Sequence, residues 1–127
     1  PLSAELHQLL GWEYSFLANR PDARETWLPA ADLAMTRAAY YAGMSRPWLH
    51  KELGNYWLIR SKTLAPFSPR WEEAFDRAAR HYRTSLALLE GGERRVLEAE
   101  IRETVWNLYP DESFRRSLLA EEETTDG

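Results

Sequence analysis

The sequence contains no cysteine, so neither disulfide bonds nor thiolate metal sites hold its fold together. It also contains no apolar run of the roughly 18 residues that a membrane-spanning helix needs, and we expect no direct membrane insertion of this segment. Positive charge is not in excess: 16 Lys and Arg stand against 20 Asp and Glu, giving a formal net charge of −4. Because no broad positive field would attract phosphates, we expect no nucleic-acid partner.

Recognisable catalytic motifs are missing as well. The chain has no Gly-rich phosphate loop, nucleophile elbow or zincin motif, so we predict a non-enzymatic protein without a cofactor. The three histidines, His7, His50 and His81, have no ligand spacing to one another or to a carboxylate, and we predict packing rather than a metal site. An active site assembled from scattered residues stays open as an alternative.

Large aromatic side chains are abundant. Six Trp, six Tyr and four Phe occur among 127 residues, and such side chains supply much contact area in helix packing or in a recognition surface. The length allows one domain with one core. Since the first residue is Pro1 rather than methionine, we expect a domain of a larger protein.

Apolar residues recur at helical spacing along most of the chain, and no stretch alternates as a strand would. Proline, glycine and serine interrupt the pattern at each junction. The pattern predicts five helices and a short sixth over about 3–19, 29–44, 47–64, 69–89, 93–109 and 113–120. Residues 121–127 are predicted to be a frayed acidic tail.

Two of the predicted helices share a motif. The pattern His-x2-Leu-Gly-x2-aromatic occurs at His7–Tyr14 and again at His50–Trp57, with Gly11 and Gly54 43 residues apart. A glycine inside a helix costs about 0.5 to 1 kcal/mol relative to alanine. Both glycines therefore indicate places where the second helix of a hairpin packs too closely for a side chain.

The paired Leu-Gly helices resemble tetratricopeptide repeats, whose first helix carries Leu-Gly-x2-Tyr and whose second carries Ala-x3-aromatic, as in Ala78-x3-Tyr82. The resemblance is divergent, because histidine replaces the usual tryptophan and the period exceeds the usual length of about 34 residues. It implies an all-α fold of stacked antiparallel helical hairpins in a TPR-like superhelix. We expect a single domain over 1–120, with repeat 1 at about 3–45, repeat 2 at about 46–91 and a capping helix at about 93–109. An unrelated helical bundle remains the alternative.

The same resemblance implies a binding surface on the concave face, where the first helices of the hairpins lie. The implied binding residues are Gln8, Trp12, Ser15, Phe16, Lys51, Asn55, Leu58 and Ile59. In some family members the positions of Lys51 and Asn55 clamp the C-terminal carboxylate of a peptide, and an ammonium group beside an amide suits that ligand. The alternative is that both are solvated polar residues on a helix.

These features favour a scaffold or interaction module with a protein or peptide partner. A second interpretation follows from a resemblance to the repeat tails of membrane proteins that ligate or polymerise surface polysaccharide such as O-antigen. In that case the chain would be an extracytoplasmic accessory domain. The compartment would be cytoplasmic for a free-standing protein and periplasmic for such a tail, and the oligomeric state stays open.

Overall fold

The computed structural model describes residues 2–119, where it contains six α-helices and no strand. The helices are α1 (Ser3–Leu17), α2 (Arg24–Ala42), α3 (Pro47–Ser61), α4 (Pro69–Ala87), α5 (Gly91–Leu108) and α6 (Glu112–Leu119). The predicted all-α fold is confirmed for this part of the chain. The predicted acidic tail over 121–127 and the last residue of the predicted sixth helix lie outside the described residues.

The chain divides into two compact units, one ending at Ser45 and the other beginning at Arg46. The first unit contains α1 and α2, and the second contains α3 to α6. Arg46 has a left-handed backbone with φ of 62°, and Pro47, whose ring fixes φ near its helical value, then starts α3.

In the first unit α1 and α2 form a hairpin held together by small residues. Ala4 and Gly11 on α1 and Ala18 directly after it are buried at intervals of seven residues on one side of the hairpin. A Cβ atom built on Gly11 would lie 2.7 Å from the side chain of Met35, which is fully buried in α2. The predicted close contact at Gly11 is therefore confirmed.

The second unit repeats this arrangement between α3 and α4, with larger side chains. A Cβ atom built on Gly54 would lie 2.5 Å from the ring of Tyr82, which is completely buried. Trp71 and Ala78 are also buried on α4. The Ser68 side chain accepts a hydrogen bond from the Trp71 backbone N–H at 3.2 Å, the N-cap arrangement that its place before Pro69 predicts.

The remaining helices cover this second hairpin. Helix α5 packs against α3, and Leu97, Ile101 and Val105 on its inner stripe are fully buried. Helix α6 packs mainly against α4 and buries Leu118 and Leu119. Three helices of the second unit therefore share one apolar core with α4.

Two predicted helix boundaries are wrong. Helix α3 ends at Ser61 rather than at Leu64, and the start of α2 differs more. Helix α2 begins at Arg24 and carries Pro29 inside it, whereas the sequence places its start at Pro29. A proline in the second turn removes only one backbone hydrogen bond close to the helix start. The first turn is secured instead by the Ala23 carbonyl, which accepts from the Trp27 N–H at 3.0 Å.

The two contact glycines are expected to respond differently to substitution by alanine. At Gly11 the nearest atoms belong to the flexible Met35 side chain, whereas at Gly54 they belong to the rigid Tyr82 ring. We expect Gly54→Ala to lower the free energy of unfolding by about 1 to 2 kcal/mol and Gly11→Ala to lower it less.

Urea unfolding of the two variants provides the measurement. Gly92→Ala is the matched control, because a Cβ atom at this position in α5 meets nothing within 4 Å. That control should gain up to about 1 kcal/mol from helix propensity alone. Equal effects at the two contact glycines would contradict the proposed difference in neighbour rigidity.

Candidate functional site

The predicted binding residues of the first unit lie on α1 and are partly accessible. Phe16 is the most accessible of them, with 74% of its surface exposed. Gln8, Trp12 and Ser15 are half-buried. The first unit therefore presents one large apolar side chain among the residues that the repeat alignment selected.

In the second unit the predicted binding surface is largely occupied by the fold itself. Leu58 is completely buried, so its assignment to a binding surface is wrong. Lys51 pairs with Glu100 of α5 at 3.1 Å, and Asn55 accepts a hydrogen bond from the Tyr82 hydroxyl at 2.7 Å. Of the four predicted residues only Ile59 is exposed. Helix α5 packs against α3, and its Glu100 is the partner of Lys51.

The ion pairs of Lys51 determine its electrostatic state. Burial by itself lowers the pKa of Lys51, but its contacts with Glu100 and with Glu52 at 3.3 Å outweigh burial, so the pKa is raised above its usual value. The ion pair between the Lys51 ammonium and the Glu100 carboxylate thus links α3 to α5. Lys51 and Asn55 already have partners within the second unit, and the predicted carboxylate clamp has no support from this geometry.

An exposed apolar stripe, which we define as Leu2, Leu9 and Phe16, lies on the first unit. These residues are seven apart, and they lie on the side of α1 opposite to Ala4, Gly11 and Ala18. Leu9 is 59% exposed and Leu6, beside the stripe, is 58% exposed. The seven-residue spacing is present in the sequence, and of the three residues only Phe16 belongs to the predicted binding surface.

Two histidines meet inside the second unit. The Nδ1 atoms of His50 on α3 and His81 on α4 are 3.0 Å apart, and their rings stack with centroids 5.2 Å apart. Burial, together with the neighbouring His50, Arg80 and Arg77, lowers the pKa of His81 to about 4. The sequence predicted packing for these residues but not this pairing, since 31 positions separate them.

An aromatic cluster, defined as Phe67, Trp71, Phe75, Tyr109 and Phe114, occupies one end of the second unit. Adjacent rings of the cluster have centroids 4.6 to 6.5 Å apart. The Trp71 indole N–H donates to the Tyr109 hydroxyl at 3.0 Å, and that hydroxyl lies 2.7 Å from the Ser61 hydroxyl. Because Ser61 in turn donates to the Leu58 carbonyl, the buried polar atoms form one connected network.

A cleft of about 320 Å³ opens beside this cluster. Its lining includes Trp71, Tyr109 and Phe114, together with Phe67, which is 67% exposed at the rim. The Lys62 ammonium lies 4.3 Å from the centroid of the Tyr109 ring. The residues come from the α3–α4 loop, α4, the end of α5 and α6, and their convergence could not be found from local spacing.

Comparisons with protein-family models, with curated proteins and with solved structures found no match. Within residues 2–119 no helix is both long enough and apolar enough to cross a membrane. The same residues contain no group of three or more His, Asp or Glu side chains arranged to hold a metal ion.

Proposed function

We propose that this chain is a non-enzymatic protein-interaction module built from divergent tetratricopeptide-like helical hairpins. The exposed apolar stripe of α1 carries the proposal. Leu9 and Phe16 expose 59% and 74% of their surfaces on a helix whose opposite face already packs on α2. Large apolar side chains left in water at regular spacing are typical of surfaces that another protein covers.

The spacing of the stripe indicates the kind of partner. Residues seven apart on one helix face form a seam that matches the apolar face of a second helix. Leu2, Leu9 and Phe16 follow this spacing. We therefore propose an amphipathic helix of another protein as the partner of α1.

The repeated glycine contacts support the hairpin assignment. Gly11 and Gly54 occupy equivalent positions of the repeated motif. A Cβ atom built on either glycine would lie closer to the second helix of its hairpin than an ordinary van der Waals contact allows. Hairpins of this kind cannot bury both faces alone, so they stack on neighbours or bind partners. The exposed stripe is the face of the first hairpin that such a partner would cover.

The experiment is affinity capture with a Leu9→Gln, Phe16→Gln variant, using lysate of the source cells and mass spectrometry of the retained proteins. We expect the variant to lose partners that the wild-type protein retains, because two exposed anchors of the seam become polar. Glu13→Gln, on the same face of α1, is the matched control and should retain them. Far-UV circular dichroism establishes that both variants stay folded. Identical capture by the wild-type protein and the double variant would overturn the proposal.

A further inference from the structure

The cleft beside the aromatic cluster has the character of a ligand site. Its volume of about 320 Å³ falls within the range of about 300 to 1,000 Å³ typical of small-ligand pockets. Its walls are rings held in place by mutual stacking and by the Trp71–Tyr109–Ser61 hydrogen-bond network. The polar atoms of this network are hydrogen-bonded to one another. The cleft walls therefore present mainly the apolar faces of rigidly held rings to a ligand.

The charge at the cleft is positive and uncompensated within the described part of the chain. Lys51 and Lys62 are the only lysines of the sequence, and Lys51 is paired with Glu52 and Glu100. Lys62 has no carboxylate partner among residues 2–119, and its ammonium lies over the Tyr109 ring instead. No acidic side chain belongs to the cleft lining. An anionic group beside an apolar group is therefore the complementary ligand.

We propose that this cleft binds the C-terminal residue of a polypeptide, with its apolar side chain against the aromatic cluster and its carboxylate on the Lys62 ammonium. This inference rests on the proposed function, and it names a second contact region on the other unit. It places carboxylate recognition at Lys62 rather than at Lys51.

The short distance between the two recognition elements favours a terminal residue. The Lys62 Nζ atom is 4.3 Å from the Tyr109 ring centroid, so the anion and the apolar group must be close neighbours in the ligand. A C-terminal residue carries its side chain and its carboxylate on the same Cα atom. An internal apolar residue followed by an acidic one, in contrast, points the two side chains to opposite sides of an extended chain.

Phe67 adds a second indication of function. It has a left-handed backbone with φ of 66°, a conformation that is unfavourable for a residue with a bulky side chain. About two thirds of its surface is nevertheless exposed at the cleft rim. A glycine at this position would relieve the strain and remove the ring. Phe67→Gly is therefore a variant that should fold and yet lose part of the site.

The test uses N-terminally fluorescein-labelled hexapeptides that differ only at the C terminus, with binding followed by fluorescence anisotropy. We expect a peptide ending in phenylalanine with a free carboxylate to bind. The same peptide with a C-terminal amide, and one ending in serine, should bind about tenfold or more weakly. In ¹⁵N NMR spectra the Trp71 indole signal should shift on addition of the first peptide, and the other two peptides should need about tenfold higher concentration for the same shift.

Variants of the full chain separate this inference from the proposed function. Lys62→Met and Phe67→Gly should each lower the affinity for the peptide ending in phenylalanine about tenfold, whereas Phe16→Ala should leave that affinity unchanged. The exposed apolar stripe of the first unit is tested separately, by the loss of lysate partners from the Leu9→Gln, Phe16→Gln variant. Either proposal can therefore fail without the other.

Three results would overturn the inference. One is equal affinity for the carboxylate and amide peptides, which would remove the role of Lys62. Another is no binding at millimolar concentration of carboxylate peptides ending in phenylalanine, leucine or tryptophan. The last is binding of N-acetylphenylalanine as tightly as the hexapeptide, which would make a small aromatic acid, and not a polypeptide, the ligand.

Discussion

Tyr82→Ala is expected to lower the free energy of unfolding by about 3 to 5 kcal/mol, in the range of buried aromatic truncations. Tyr82 is completely buried, and its ring fills the space opposite Gly54. Because Gly54 has no side chain to move into the gap, the truncation leaves a cavity that α3 cannot fill. Equilibrium urea unfolding monitored by circular dichroism measures the change.

The control for this variant is Tyr82→Phe, which retains the ring and removes the hydroxyl. Burial raises the pKa of Tyr82 well above its usual value, so the hydroxyl remains a neutral donor to Asn55 at 2.7 Å. Its loss is expected to cost about 1 kcal/mol, since Asn55 is half-buried and water can replace the donor. A Tyr82→Ala protein within 1 kcal/mol of the wild type would contradict the packing described for α3 and α4.

The close helix contacts could be predicted from the sequence because each of them requires a glycine within a helix. A glycine inside an apolar helical stripe is unfavourable unless a neighbour needs the space, so Gly11 and Gly54 identified both hairpins without tertiary information. The histidines of the same motif also behave alike. His7 stacks on Tyr41 and His50 stacks on His81, with ring centroids 5.2 Å apart in both pairs.

The binding surface could not be predicted in the same way. Repeat alignment carries positions from one helix to another, but it does not reveal which element covers them. Helix α5 lacks the Leu-Gly pair, and nothing in its sequence indicated that Glu100 would pair with Lys51 of α3. The cleft could not be predicted from local spacing, because Lys62, Trp71 and Tyr109 are far apart in the sequence and come from three different elements.

The His50–His81 pair makes the stability of the second unit sensitive to acid. The hydrogen bond between the two Nδ1 atoms needs one of them to carry a proton and the other to accept it. Two imidazolium rings would both be donors, and they would place two positive charges beside Arg77 and Arg80. The charges that act on His81 come from His50 on α3 and from these arginines on α4, and all of them oppose its protonation.

The direction of the pH dependence follows from the lowered pKa of His81. An unfolded chain protonates histidine near pH 6.5, whereas the folded protein does so only near pH 4. Between these values the unfolded state binds more protons, so stability is complete above about pH 6.5 and is lost as the pH falls towards 4. The full loss amounts to about 3 kcal/mol, of which about 2 kcal/mol is expected by pH 5.

Urea unfolding at pH 7.5 and pH 5 provides the measurement, with His81→Asn as the decisive variant. Asparagine keeps a polar group that can bond to His50 but does not titrate, so the difference in stability between the two pH values should shrink by about 2 kcal/mol. His7→Asn is the matched control, because it removes the histidine at the position equivalent to His50 in the first unit, where the ring stacks on Tyr41 and not on a second histidine. The His7→Asn variant should show the same difference in stability between pH 7.5 and pH 5 as the wild-type protein. If His81→Asn retains that difference as well, carboxylates elsewhere produce the acid sensitivity, and the histidine pair is only a packing contact.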